Sequence, residues 1–133
     1  NHMHLVVEAK GRDALSQGMK GLKVRMARGL NSALSRRGKV FSDRYHAHVL
    51  KTPREVRNAL AYVLLNARKH AAERGRALPS RWVDPFSSAA WFDGWRKDCP
   101  IKSVRDDDEP DVARAHTWLL SKGWRRHGLI SAH

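Results

Sequence analysis

Two pairs of residues in this chain are spaced for chemistry. One is a pair of histidines separated by a single residue, in NHMHLVVEA, and the other a tyrosine with an asparagine four residues on, in YVLLNARKH. In an extended segment alternate side chains leave the same face, so His2 and His4 would point together, about 7 Å apart at their Cα atoms. Two neutral imidazoles so placed can converge on one divalent cation. On a helix, positions i and i+4 lie about 6 Å apart along the axis on nearly the same side, which presents Tyr62 and Asn66 together. A tyrosine hydroxyl can attack a phosphodiester and hold the cut strand as a phosphotyrosine, conserving the bond for later resealing. A cation bound by two imidazoles and one side-chain carbonyl, with water completing its shell, would draw charge from the phosphate. That donor set suits Mg²⁺ or Mn²⁺ better than a closed zinc site. Each feature also has a plainer explanation. His-Met is a common cloning remnant, and a tyrosine on a helix is often simply half-buried.

The charge balance bears on which substrate such a site would meet. The 133 residues carry 26 Lys and Arg against 13 Asp and Glu, a formal net charge of +13. Residues 1–80 hold 17 Lys and Arg against 5 Asp and Glu, whereas residues 81–133 hold 9 against 8. A basic half of this kind points to a polyanion, nucleic acid ahead of a membrane surface, because no basic amphipathic helix with Trp and Phe on its apolar face occurs there. No apolar run approaches the roughly 18 residues of a membrane span, and no secretory segment is present. The single cysteine, Cys99, excludes an internal disulfide framework and suits a reducing compartment.

The elements that must position these residues can be read from periodicity. Residues 3–9 predict a strand through Leu5, Val6 and Val7. Leu15, Met19, Leu22, Met26, Leu30 and Leu34 recur every three or four residues and predict a helix from about Asp13 to Arg37, closed by Gly38. Lys20, Lys23, Arg25, Arg28, Arg36 and Arg37 fall largely off that apolar stripe. A second strand is expected over Asp43–Lys51, where Tyr45, Ala47 and Val49 alternate with His46, His48 and Leu50. TPRE then forms a capping box, with Thr52 as N-cap, Pro53 at the first helical position and Glu55 reaching back. The helix it opens should reach about Glu73. It would pack Val56, Leu60, Val63, Leu64 and Ala67 on a sheet, while Asn58, Tyr62, Asn66 and His70 form a separate stripe at its flank. Beyond Pro79 the chain is rich in aromatics and turns, with an acidic loop at DDDEPD and a final helix of about a dozen residues. Its tryptophans either form the small core this segment otherwise lacks or stack on bases.

These residues resemble a known family. NHMHLVVE is similar to the His-hydrophobic-His (HUH) signature of single-tyrosine transposases. YVLLNARKH resembles the tyrosine helix of the REP-associated tyrosine transposases, and GKVFSDRYHAHVLKTPREVRNALAYVLLN between them also looks like that group. The likeness covers roughly residues 1–75. It implies an α+β fold, a ferredoxin-like palm whose antiparallel sheet carries helices on one face, over residues 1–78. Residues 79–133 would be an aromatic, helical extension. By this likeness His2, His4 and Asn66 would hold Mg²⁺ or Mn²⁺, and Tyr62 would be the nucleophile that cleaves single-stranded DNA beside hairpins or inverted repeats. The protein would act as a monomer or homodimer in the bacterial cytoplasm, at the nucleoid. Lys20, Lys23, Arg25, Arg28, Arg36, Arg37, Lys39, Arg44, Arg68 and Lys69 would meet the DNA.

Two departures accompany the resemblance. Where the family often has Asn-Pro this chain has Asn66-Ala67, so the helix can run on. The family palm also has a strand, a helix and a strand before its HUH strand, so a palm lacking its first strands is expected here. The second H-x-H, His46 and His48, is read as a polar strand face or as phosphate contacts. The rival readings are a catalytically silent DNA-binding relative and a small RNA-binding protein that stacks bases on its tryptophans.

Overall fold

The computed structural model describes residues 3–98, 110 and 112–132. His2, Cys99 and most of the acidic loop lie outside the described residues. Contacts gather the chain into two compact units, one of residues 1–6 with 50–133 and the other of residues 7–49. Among the described residues no helix is long and apolar enough to cross a membrane.

The ferredoxin-like palm expected from the resemblance is not the fold of this chain. No β-strand and no sheet occur among the described residues, and the β-type pairing there is a single parallel bridge between Trp95 and Ile130. The bridge is closed by Arg96 N–H to the Ile130 carbonyl at 2.8 Å and Ile130 N–H to the Gly94 carbonyl at 3.0 Å. Both expected strands are absent for the same reason, because an extended segment becomes a strand only when a second segment takes up its backbone groups. Residues 3–7 keep the alternation of a strand, with Met3, Leu5 and Val7 exposed and His4 and Val6 half-buried, but no ladder forms. Residues 42–49 are exposed throughout, so the face carrying Tyr45, Ala47 and Val49 docks on nothing among the described residues.

The unit of residues 7–49 is built on α1, Arg12–Ala33. This helix stops four residues short of the expected Arg37. The left-handed turn that ends it falls on Ser35 (φ 48°), with Ser35 N–H bonded to the Ser32 carbonyl and Arg36 N–H to the Asn31 carbonyl, a Schellman closure. Asn31 then donates to the Gly38 carbonyl at 2.9 Å, and Lys23 donates to the Asp43 carbonyl at 2.7 Å, tying the following segment back to the helix. No residue of α1 is buried.

The other unit is organised around α2, Pro53–Glu73, which carries both halves of the expected capping box. Its end is a second Schellman closure, here with Gly75 (φ 68°) in the left-handed position that glycine tolerates best. The apolar face of α2 packs on the C-terminal segment in place of a sheet. Val56 and Leu64 join Ala89, Trp124 and Ile130 in one buried cluster, flanked by Leu60, Phe92, Trp95 and Leu120. Two arginines of α2 staple that packing. Arg57 donates to the Gly128 and Leu129 carbonyls, and Arg68 to those of Leu78, Pro79 and Trp82.

The expected final helix of a dozen residues is instead a four-residue helix, α3, Trp118–Ser121, capped by Thr117 and followed by a 3₁₀ turn over Gly123–His127. Gly123 lies so close to Trp118 that a Cβ there would sit 2.6 Å from Trp118 Cζ3. Gly94 is pressed still harder into the aromatic cluster, where a Cβ would come within 2.7 Å of Trp124 Cζ2 and would also strike Phe92. Gly94→Ala should therefore destabilise the protein by about 1–3 kcal/mol, as overpacking of a closed core does. Denaturant midpoints measure this, and an unchanged midpoint would show that Trp124 is free to move aside.

Candidate functional site

Of the expected metal and nucleophile residues, His4 and Tyr62 are in direct contact. The extended N-terminal segment half-buries His4, and its imidazole meets the Tyr62 ring edge-on, with ring centroids 4.9 Å apart and planes at 80°. Residues 58 in sequence apart thus share one spot because the extended segment lies against α2. Tyr62 keeps 45% of its surface exposed, so an incoming substrate can reach it.

Asn66 follows Tyr62 by one helical turn, with its Oδ1 buried and making no hydrogen bond among the described residues. A buried amide oxygen left without a partner costs about 1–3 kcal/mol, which a ligand could relieve. Lys69 approaches Tyr62 as well, with its Nζ 5.5 Å from the centre of the tyrosine ring. Lys69 also faces Glu73 at 3.9 Å, and His70 Nδ1 meets the same carboxylate at 2.9 Å. Glu73 was not among the expected site residues, although its i+4 spacing from Lys69 is plain in the sequence. His4 further contributes to the wall of a cleft of about 630 Å³, with Leu5 and Val6 beside it, Leu60 and Leu64 of α2, and Trp91.

No family model matches this chain, and no match to it was found among curated proteins or solved structures.

The basic residues named as DNA contacts divide by what they already hold. Arg68 is committed to three backbone carbonyls, and Lys69 to Glu73 and the Tyr62 ring. Lys23 is half-buried, bonded to the Asp43 carbonyl and lying 5.5 Å from the Phe41 ring centre. Arg36 reaches the Lys39 carbonyl at 3.4 Å. Lys20, Arg25, Arg28, Arg37, Lys39 and Arg44 are exposed and form no ion pair among the described residues. All six belong to the unit of residues 7–49, which holds ten Lys and Arg against three Asp and Glu. His46 and His48 lie exposed in the same unit. They do not share a strand face, because no strand forms there.

Among the described residues no group of three His, Cys, Asp or Glu is placed to hold a metal. Of the three expected metal ligands, His4 and Asn66 are described, and His2 lies outside the described residues.

Proposed function

We propose that this chain is a single-tyrosine DNA-cleaving protein of the transposase type, acting on single-stranded DNA beside hairpins or inverted repeats. The observation that carries the reading is the contact of His4 with an exposed Tyr62. An imidazole, able to accept or orient a proton, stands beside a phenol that substrate can reach. The Tyr62 oxygen attacks phosphorus in line, its bond to phosphorus forming as the bond to the 3′ oxygen breaks. The phenolic proton ends on the departing 3′ hydroxyl, and the 5′ phosphate stays on the tyrosine. Attack by the freed or another 3′ hydroxyl reverses the step and rejoins the strand. Lys69, beside the ring, would turn from its loose, solvent-exposed pairing with Glu73 to supply a positive charge for the phosphate.

The donor chemistry of His4 and Asn66 fits Mg²⁺ or Mn²⁺, and the unpartnered Asn66 oxygen favours such a use. When bound, that ion would neutralise charge on the scissile phosphate. The exposed cations of residues 7–49 would meet the DNA backbone.

The deciding experiment incubates the protein with hairpin-flanked single-stranded DNA and Mg²⁺ or Mn²⁺, then seeks a denaturation-resistant protein–DNA adduct. Mass spectrometry should place the DNA on Tyr62, and EDTA should suppress the adduct. Absence of any adduct across both metals would sink the reading. Binding itself should depend steeply on salt, losing on the order of a thousandfold in affinity between 50 and 200 mM if six phosphates are contacted. Filter binding or anisotropy measures that slope, and a flat response would remove the basic unit as the binding surface.

A further inference from the structure

Arg125 and Arg126 are adjacent, and each lies over a tryptophan, but their surroundings are opposite. Arg125 Cζ is 4.8 Å from the centre of the Trp124 ring, and its guanidinium is engaged elsewhere as well. Its Nη2 meets Asp93 Oδ1 at 2.6 Å and its Nε donates to the Ser121 carbonyl at 3.3 Å. Trp124 beneath it is buried, with its indole N–H donated to the Leu120 carbonyl at 3.0 Å. That pair is closed and structural.

Arg126 and Trp118 form the open counterpart. Arg126 Cζ lies 4.9 Å from the Trp118 ring centre, yet Trp118 is 49% exposed. Arg126 is exposed too and has no acidic partner among the described residues. Close backbone contact at Gly123 holds the indole in place. Exposed Lys122 and His127 border the turn that carries Arg126. The result is a half-exposed indole held in place, with the Arg126 guanidinium over its ring and exposed Lys122, whose backbone N–H donates to the Trp118 carbonyl, one turn along the chain.

We propose that Trp118 and Arg126 form a stacking platform for an unpaired base of single-stranded nucleic acid, with Lys122 and Arg126 meeting the flanking phosphates. Charge complementarity selects this occupant, since an apolar protein face would leave Arg126 and Lys122 without partners, whereas a polynucleotide supplies phosphate and a π-face together. The inference rests on the reading of the chain as acting on DNA, but uses none of the residues assigned to cleavage.

The test compares binding of the whole chain to a 20-nucleotide oligothymidine and to a strand of equal length made of abasic sites, which has the same phosphates but no bases. The wild type should prefer the base-bearing strand by roughly tenfold. Trp118→Leu should abolish that preference, Arg126→Gln should reduce it, and Trp118→Phe should retain most of it. Thermal melts establish that each variant folds, and Arg126→Gln with Trp118→Phe decides the matter if the leucine variant does not. Equal binding of the two strands by wild type, no binding at all, or a preference that survives in Trp118→Leu and Arg126→Gln overturns the platform. Adduct formation at Tyr62 is followed in parallel at saturating DNA. A base preference that needs Trp118 in a protein forming no adduct supports the platform and sinks only the cleavage reading.

Discussion

Tyr62→Phe is expected to abolish the covalent protein–DNA adduct completely while leaving folding and DNA binding intact. The substitution removes one oxygen and keeps the ring, so the edge-on contact with His4 and the approach of Lys69 persist. Tyr62 is 45% exposed and outside the buried cluster of Val56, Leu64, Ala89, Trp124 and Ile130, so stability should move by no more than about 0.5 kcal/mol. Affinity should also hold, since the proposed function assigns binding to exposed cations rather than to the Tyr62 hydroxyl, and phosphate contacts dominate such binding. What disappears is the atom that forms the bond to phosphorus, and neither phenylalanine nor a bound water can replace it in a covalent intermediate. Denaturing electrophoresis of labelled DNA reads the adduct, and anisotropy reads binding. Tyr45, the other tyrosine, is the internal control, exposed but in the separate unit of residues 7–49. An adduct surviving in Tyr62→Phe, or mapped to Tyr45, would overturn the assignment.

The parts of this structure legible in the sequence are those fixed by local chemistry. Thr52, Pro53 and Glu55 dictate where α2 starts, because a capping box depends on a few neighbouring residues, whereas the glycine expected to close α1, Gly38, is pre-empted by a left-handed turn at Ser35. The pairing of Tyr62 with Asn66 on one flank follows from the same helix. The expected sheet failed at the next level, because Leu5-Val6-Val7 and Tyr45–Val49 carry the alternation of strands but alternation says nothing about a partner. The face of α2 holding Val56 and Leu64 is apolar whatever covers it, so the pattern could not distinguish a sheet from the Trp124 segment. Arg68 shows the same limit among charged residues. A basic side chain beside a site reads as a phosphate contact, whereas its fork is filled by the carbonyls of Leu78, Pro79 and Trp82. Conversely, the meeting of His4 with Tyr62 is a long-range contact that no local pattern fixes.

The tryptophans divide in a way their sequence contexts, TWLL and KGWRRH, do not reveal, and the division predicts the largest loss of stability. Trp124 is 1% exposed, stacks on Phe92 with ring centroids 5.5 Å apart, and fills the space that forces glycine at position 94. Trp124→Ala removes those contacts and opens a cavity in the buried cluster that Trp124 shares with Ile130, with Trp95 packed against it. The expected cost is about 3–5 kcal/mol, a large share of the roughly 5–15 kcal/mol that holds a domain of ordinary stability together. Trp118→Ala, at a half-exposed ring, should cost markedly less. Urea midpoints of the two variants make the comparison, and equal losses would mean that Trp118 is as structural as Trp124. The consequence should extend to the candidate site, because Trp124 shares its buried cluster with Val56 and Leu64 on the packed face of the helix that carries Tyr62. With that cluster opened, α2 loses the packing that sets its position, and His4 loses a fixed ring to meet. Adduct formation by Trp124→Ala should therefore fall together with its folded fraction, whereas in Tyr62→Phe it is lost from a protein that remains folded.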